Sequence, residues 1–242
     1  MLKDSTTEPI EIVSHVHTVT PTLGAHKSNS GIRAELVTTT HGTMTVVTID
    51  RNSVIAPSSH APFHLVQNGP RYPTLEHCYY AHKVACTFPK HQQDDTIELF
   101  MGSVSESTSE VRAMATTITK QWDDADYSTW ANTKCDIIVR AMRAQCDANP
   151  QIRCNLLDTL NSCILYSDKY CMEHGWTAGK NCMGDNIIGL QWMRVRNEFN
   201  TLDGKTHFKV IPTVAYEQLK HTAKLIGPIC LPPWGSGVFA TA

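Results

Sequence analysis

Two periodicities divide the chain. Short alternating apolar and polar runs fill residues 10–20, 32–40 and 43–49. A period of two over such lengths predicts strands that are exposed or at a sheet edge, and His41-Gly42 predicts a turn pairing the last two runs as a hairpin. From residue 73 the period is helical. Pro73 suits a first helical position, and Leu75, Cys78, Tyr79, His82 and Cys86 recur on one face. Ser107-x-x-Glu110 has the form of a capping box opening a helix through Val111, Met114 and Ile118. Ser128 or Thr129 predicts the cap of a longer helix over 130–148, and Asn149-Pro150 opens another through Ile152, Leu156 and Leu157. Residues 166–184 keep no period. They lead to Asp185 as N-cap of a helix reaching 200, whose apolar stripe is Ile188, Trp192, Val195 and Phe199. A strand over 207–211, a helix from Thr213 to the Gly227-Pro228 stop and an extended arm complete the chain.

Many helices with few strands predict an α+β fold. The divisions expected are an N-terminal extension, partly strand, over 1–42, a main domain over 43–200, and a C-terminal strand, helix and arm over 201–242. The aperiodic stretch 166–184 stands out, because long loops inside compact domains are commonly functional.

Composition narrows the function classes. The 242 residues carry a formal charge of −2, with 18% charged residues. No global positive field draws the protein to nucleic acid or anionic lipid, so nucleic acid enters only as a modified substrate. No apolar run approaches the roughly 20 residues of a membrane span, and the N-terminus lacks a signal-peptide layout, so a cytoplasmic protein without membrane contact is expected. Nine cysteines, an odd number without a CxxC pair, are expected as reduced, buried apolar residues of a reducing compartment. His15-x-His17 places two imidazoles on one strand face without a third ligand, which is short of a zinc set.

Three helix faces offer chemistry. Glu76 and Lys83 lie two turns apart with Tyr79 or Tyr80 between them, Trp130 and Lys134 are an i, i+4 pair, and Asn186, Gly189, Met193 and Arg196 share one face. A Glu and a Lys on one face are ordinarily a solvated surface pair worth a few tenths of a kcal/mol.

Taken with their order along the chain, these faces resemble a known family. RYPTLEHCYYAHKV is similar to the NADAR signature of an aromatic-Pro-Thr-x-Glu-His run followed by an aromatic-rich helix ending in Lys. TWANTKCDIIVRAMRAQCDANPQIRCNLLDT resembles the family's Trp-x-x-x-Lys helix, its Asn-Pro break and its Leu-Leu-x-Thr segment. EHGWTAGKNCMGDNIIGLQWMRVRNEF resembles the Asp-x-x-Trp-Gly-x-Gly loop and the Asn-x-x-Gly-x-x-x-Met-x-x-Arg helix. The resemblance implies a mostly helical YbiA-like domain with a small sheet and extensions at both ends.

It also implies an N-glycosidase, acting on an ADP-ribose conjugate or on a ribosylated pyrimidine intermediate of the riboflavin pathway. Breaking a C1′–N bond builds oxocarbenium character on ribose, so one carboxylate belongs beside that carbon and a second group must position water. On this resemblance Glu76 is the carboxylate that stabilises charge or activates water, with Glu173 or Asp168 as the second carboxylate. Trp176 stacks on base or sugar, Lys83, Lys134 and Arg196 hold phosphate or carbonyl groups, and Asn186 orients a hydroxyl. Ser58, Trp130, Gly179 and Gly189 complete the substrate-binding set, with neither metal nor cofactor.

The sequence departs from the pattern at several points. Pro57-Ser58-Ser59-His60 stands where Ser-Asn-Phe is usual, Trp176-Thr177-Ala178-Gly179 replaces Trp-Gly-x-Gly, Tyr166 falls at a family Glu and Gln145-Cys146 at its Lys-Phe. These departures keep a second reading open: a degenerate relative with a binding or assembly role, whose terminal arms join copies into a homo-oligomer.

Overall fold

The computed structural model describes residues 32–39, 42–168, 176–178, 184–203 and 212–226. The runs expected at 10–20 and 207–211, the His15/His17 pair, the Gly227-Pro228 stop, Glu173 and Gly179 lie outside these residues.

Strands β1 (Ile32–Thr39) and β2 (Gly42–Ile49) pair antiparallel, from Ile32 opposite Ile49 to Thr39 opposite Gly42. β2 is the central strand. Its other side pairs parallel with β5 (Cys163–Tyr166), Val46 opposite Cys163 and Ile49 opposite Tyr166. Val46, Val47, Ile49 and all four residues of β5 are buried. Such a continuous apolar run is what a covered parallel pair demands, and in so short a segment it leaves no alternation to read.

Between β2 and β5 the chain builds its helical layer. A two-residue hairpin of β3 (Phe63–His64) and β4 (Arg71–Tyr72) leads into α1 (Leu75–Ala85). Then come α2 (Lys90–Ser103), α3 (Thr108–Ile118), a 3₁₀ turn, α4 (Asp124–Ala148) and α5 (Pro150–Leu157). α6 (Ile187–Leu202) and α7 (Pro212–Ile226) follow β5. α1 is almost wholly buried, packed by α2, α3 and α4. The fold is α+β and mostly helical.

Several helix starts differ from the expectations. α1 begins at Leu75 with Thr74 as its cap, accepting the His77 N–H, so Pro73 precedes the helix instead of taking its first position. α4 begins a turn and a half before Ser128, because Asp123 and Asp126 cap each other reciprocally, an acidic form of the capping box. Ser107 caps α3 without a side-chain bond, and Glu110 instead takes the Ser105 hydroxyl. α6 starts from Asn186 rather than Asp185. Asn186 sits in the left-handed region at φ 53°, which Asn tolerates better than most residues.

Asn186 also covers the β5 edge of the sheet. On the side of β5 away from β2, the Ile164 carbonyl accepts the Asn186 Nδ2 donor at 2.8 Å and the Tyr166 N–H donates to Asn186 Oδ1 at 3.0 Å. The Ile164 N–H is spent on Met193 Sδ at 3.3 Å, and the Tyr166 carbonyl accepts the Ala178 N–H at 2.9 Å. Side chains of one helix and a returning loop thus stand in for a fourth strand along the β5 edge, satisfying backbone groups that an edge strand otherwise presents. The helix lies close enough only because residue 189 is glycine: a Cβ there would fall 2.2 Å from the Ile164 oxygen and about 2.5 Å from the Asn186 amide.

A carboxylate pair at the ends of parallel strands

Parallel neighbours end on the same side, so β2 and β5 deliver their following residues to one place. The Ser167 N–H continues the ladder to the Ile49 carbonyl at 2.9 Å. Asp50 and Arg51 leave β2 beside Ser167 and Asp168, which leave β5. The loop after Arg51 crosses the start of α1, where the Pro57 carbonyl accepts the Glu76 N–H at 3.1 Å. Glu76 is therefore carried in the first turn of α1 toward the ends of both strands. Crevices at the carboxyl ends of parallel strands are the usual binding position in α/β sheets.

Glu76 is not the solvated surface acid its spacing from Lys83 suggests. It is 2% exposed. Burial raises its pKa, the Arg112 guanidinium opposes that rise, the Asp168 charge adds to it and Arg51 opposes it more weakly. Arg112, from α3, sets its Nη2 donor 3.2 Å from Glu76 Oε2. Asp168, half-buried, accepts the Tyr166 hydroxyl at 3.2 Å. Tyr166 stands where the related pattern has Glu, so its phenol holds the acid two residues on. Two carboxylates and two arginines thus act on one another at this edge. Arg51 and Arg112 carry no helix-face signature and were invisible in the sequence.

Other sequence-predicted residues are distributed around this pair. The Ser58 hydroxyl lies beside the same loop, 3.5 Å from the Arg51 carbonyl. Trp130 is buried, and its Nε1 donor meets the Tyr79 hydroxyl at 3.0 Å, ring centroids 4.8 Å apart. Trp176 is fully buried with its ring 4.5 Å from that of Tyr79 at 70°. Both indoles thus belong to an aromatic cluster set on α1 one turn beyond Glu76. Among the described residues the Trp176 Nε1 donor has no hydrogen-bond partner. Lys83 sets its Nζ 5.7 Å over the Trp122 ring. Lys134 is half-buried one turn along α4 from Trp130.

Arg196 is placed elsewhere. It is fully buried, its Nη1 donates to Thr159 Oγ1 at 2.8 Å, and Cys163 is its electrostatic neighbour. Thr159 and Cys163 precede and begin β5, while Asp168 follows its other end, roughly 10 Å or more along the strand. Nε and Nη2 of Arg196 make no hydrogen bond among the described residues. Burial lowers its pKa to about 10, which leaves the guanidinium charged at neutral pH. Asn186 and Gly189 serve the β5 edge, so the shared face of α6 looks onto a strand rather than into a cleft.

The buried thiols among the described residues are poor nucleophiles. Cys78, Cys146 and Cys163 are buried, and burial pushes the thiol of Cys146 to about 12 and that of Cys86 to about 11; the thiolate is the reactive form. Cys154 departs from the expected burial and is exposed. His77 is locked. Its Nε2–H donates to the Ser105 carbonyl at 3.0 Å, so its Nδ1 accepts from the Thr74 hydroxyl at 2.9 Å. A cleft of about 440 Å³ opens beyond His77, between the β3–β4 hairpin and the end of α2. Glu76 does not line it. The titratable groups converge instead on the carboxylate pair.

A small mixed sheet wrapped by helices makes this an α+β protein with acids gathered at its parallel strand ends. The chain belongs to the NADAR family: the family's model, described as the NADAR domain, matches residues 36–200. Among solved structures it is similar to the Escherichia coli protein YbiA, with a TM-score of 0.51 and 16% identity over 66% of this chain and 88% of that one. Among curated proteins it is similar to the riboflavin biosynthesis protein PYRR, chloroplastic, of Zea mays, 26% identical over 127 residues. That match takes in 52% of this chain and 20% of the maize protein. No helix among the described residues is long and apolar enough to cross a membrane.

Proposed function

We propose that this NADAR domain hydrolyses the N-glycosidic bond of a ribosyl conjugate, with Glu76 and Asp168 as its working carboxylates. The observation that carries this reading is the buried Glu76, its pKa raised by burial and by Asp168, at the carboxyl ends of β2 and β5. Cleavage needs one group to exchange a proton with water or the departing base, and negative charge beside the developing oxocarbenium ion. A buried carboxyl with a raised pKa suits the first task. The half-buried Asp168, steadied by the Tyr166 hydroxyl, suits the second. Glu173 remains a candidate for that second role. Ser58, Lys83, Trp130, Lys134, Trp176, Gly179, Asn186, Gly189 and Arg196 are proposed as substrate-binding or site-shaping residues, most of them through the elements they hold in place.

The substrate is proposed to be an ADP-ribose conjugate or a ribosylated pyrimidine, the latter supported by the maize relative's printed role in riboflavin biosynthesis. The experiment is Glu76→Gln, with released base measured on ADP-ribosylated guanine and on a ribosylaminopyrimidine. Turnover by the parent protein and its loss in the variant support the assignment; equal turnover in both removes it.

A second reading, binding without turnover, is favoured by one observation: Tyr166 replaces a family Glu and is fully buried. Micromolar binding of ADP-ribose without release of base from either substrate class would support it. Terminal arms joining copies of the chain belong to the same reading, checked by the mass of the protein in solution.

A further inference from the structure

Resting on the reading of Glu76 as a working carboxylate, we infer that Arg112 is the positioning residue that keeps this acid ionisable and aimed. The two are 36 residues apart in sequence and meet through a single 3.2 Å contact from Nη2 to Oε2. The pairing is asymmetric: the Glu76 side chain is 3% exposed and that of Arg112 is 32% exposed. The acid is therefore the member deprived of water, and the arginine supplies charge from the rim.

An isolated carboxylate in such a site would be driven toward its neutral form. A neutral carboxyl cannot accept a proton from water, so burial unopposed would silence the base that the reaction needs. Among the described residues, three charged groups act on Glu76: Arg112 from α3, Asp168 after β5 and Arg51 after β2. Asp168 works with burial, and Arg51 is the weaker cation. Arg112 also fixes direction. Among the described residues its bond falls on Oε2 and not on Oε1, an asymmetry that a diffuse positive field would not impose.

The test is the titration of Glu76 itself, followed by the ¹³C shift of its side-chain carboxyl in the full chain. In Arg112→Gln the midpoint should rise by about one pH unit or more relative to the parent, and Arg112→Lys should return part of that shift. The acid limb of the kcat–pH profile should move by the same amount with KM little changed. In the unsubstituted protein the Arg112 side-chain ¹⁵N resonances should move with the same midpoint as Glu76, which needs no variant to fold. An unmoved Glu76 midpoint in Arg112→Gln, or ¹⁵N shifts indifferent to Glu76, overturns the inference. Absence of turnover in the parent protein would instead remove the hydrolase reading, while the titration would still decide the role of Arg112.

Discussion

Gly189 and the Ile164 carbonyl approach so closely that a methyl group at residue 189 would sit 2.2 Å from the oxygen. Backbone, not a flexible side chain, occupies that space, so relief requires α6 to lift from β5. Lifting would also break both bonds from the Asn186 amide to Ile164 and Tyr166. Gly189→Ala is expected to cost about 3 kcal/mol or more, the upper part of the range for overpacked cores. Urea unfolding measures it, and a loss under about 1 kcal/mol would contradict this account of the strand edge.

Asn186→Ala tests the same edge from the other side. It strands a buried carbonyl and a buried N–H, each costing about 1–3 kcal/mol when unpaired. Asn186→Asp restores only the acceptor, so it should recover the Tyr166 bond but not the Ile164 one. Unfolding free energies should rank parent, Asp, then Ala. If the side chain serves only a ligand, all three proteins should be equally stable.

Glu76→Gln should trade activity for stability in a pH-dependent way. A carboxyl whose folded pKa is raised favours the folded state while protonated. That contribution is full below the ordinary carboxylate pKa and is lost as pH rises through the folded one. The Tm of Glu76→Gln minus that of the parent should therefore grow from pH 4 to pH 7.5, while kcat falls about 10²–10⁴-fold. Thermal scans at the two pH values decide the first half; a constant difference refutes it.

His82 titrates with the opposite sign. Burial, reinforced by the Arg140 charge, pushes its imidazole down to about 4, and the Tyr72 hydroxyl lies 3.4 Å from Nε2. A depressed histidine stabilises the fold fully above its ordinary pKa near 6.5, and that stability drains away as pH falls toward 4. Denaturant midpoints should drop over this interval in the parent and drop less in His82→Gln.

How much of this was legible in the sequence depended on whether the deciding contact is local. α1 and α5 follow from apolar spacing and from Asn149-Pro150, and the β1–β2 hairpin from alternation. Tyr79 and Glu76 share a helix, so their neighbourhood followed from counting residues. β5 did not follow, because four consecutive buried residues carry no period and owe their state to a partner strand more than a hundred residues away. α2 was also missed: only Ile97 and Phe100 are buried along it, too few to form a stripe. The Asn-x-x-Gly-x-x-x-Met spacing marked one face of α6 correctly, yet nothing local told a ligand from a strand edge on the other side. Arg112 was out of reach entirely, since its partner lies on another helix.

The parallel pairing of β2 with β5 has a consequence for the order in which the molecule assembles. Val46 cannot meet Cys163 until the whole run through α5 has been made and drawn back, a closure that is entropically expensive and typically slow. A nascent chain halted before residue 163 would hold α1, α3 and α4 in sequence but no strand to bring Asp168 to Glu76. The acidic edge is thus finished late, after the helices that surround it, and chains shortened within β5 should stay inert however well those helices form.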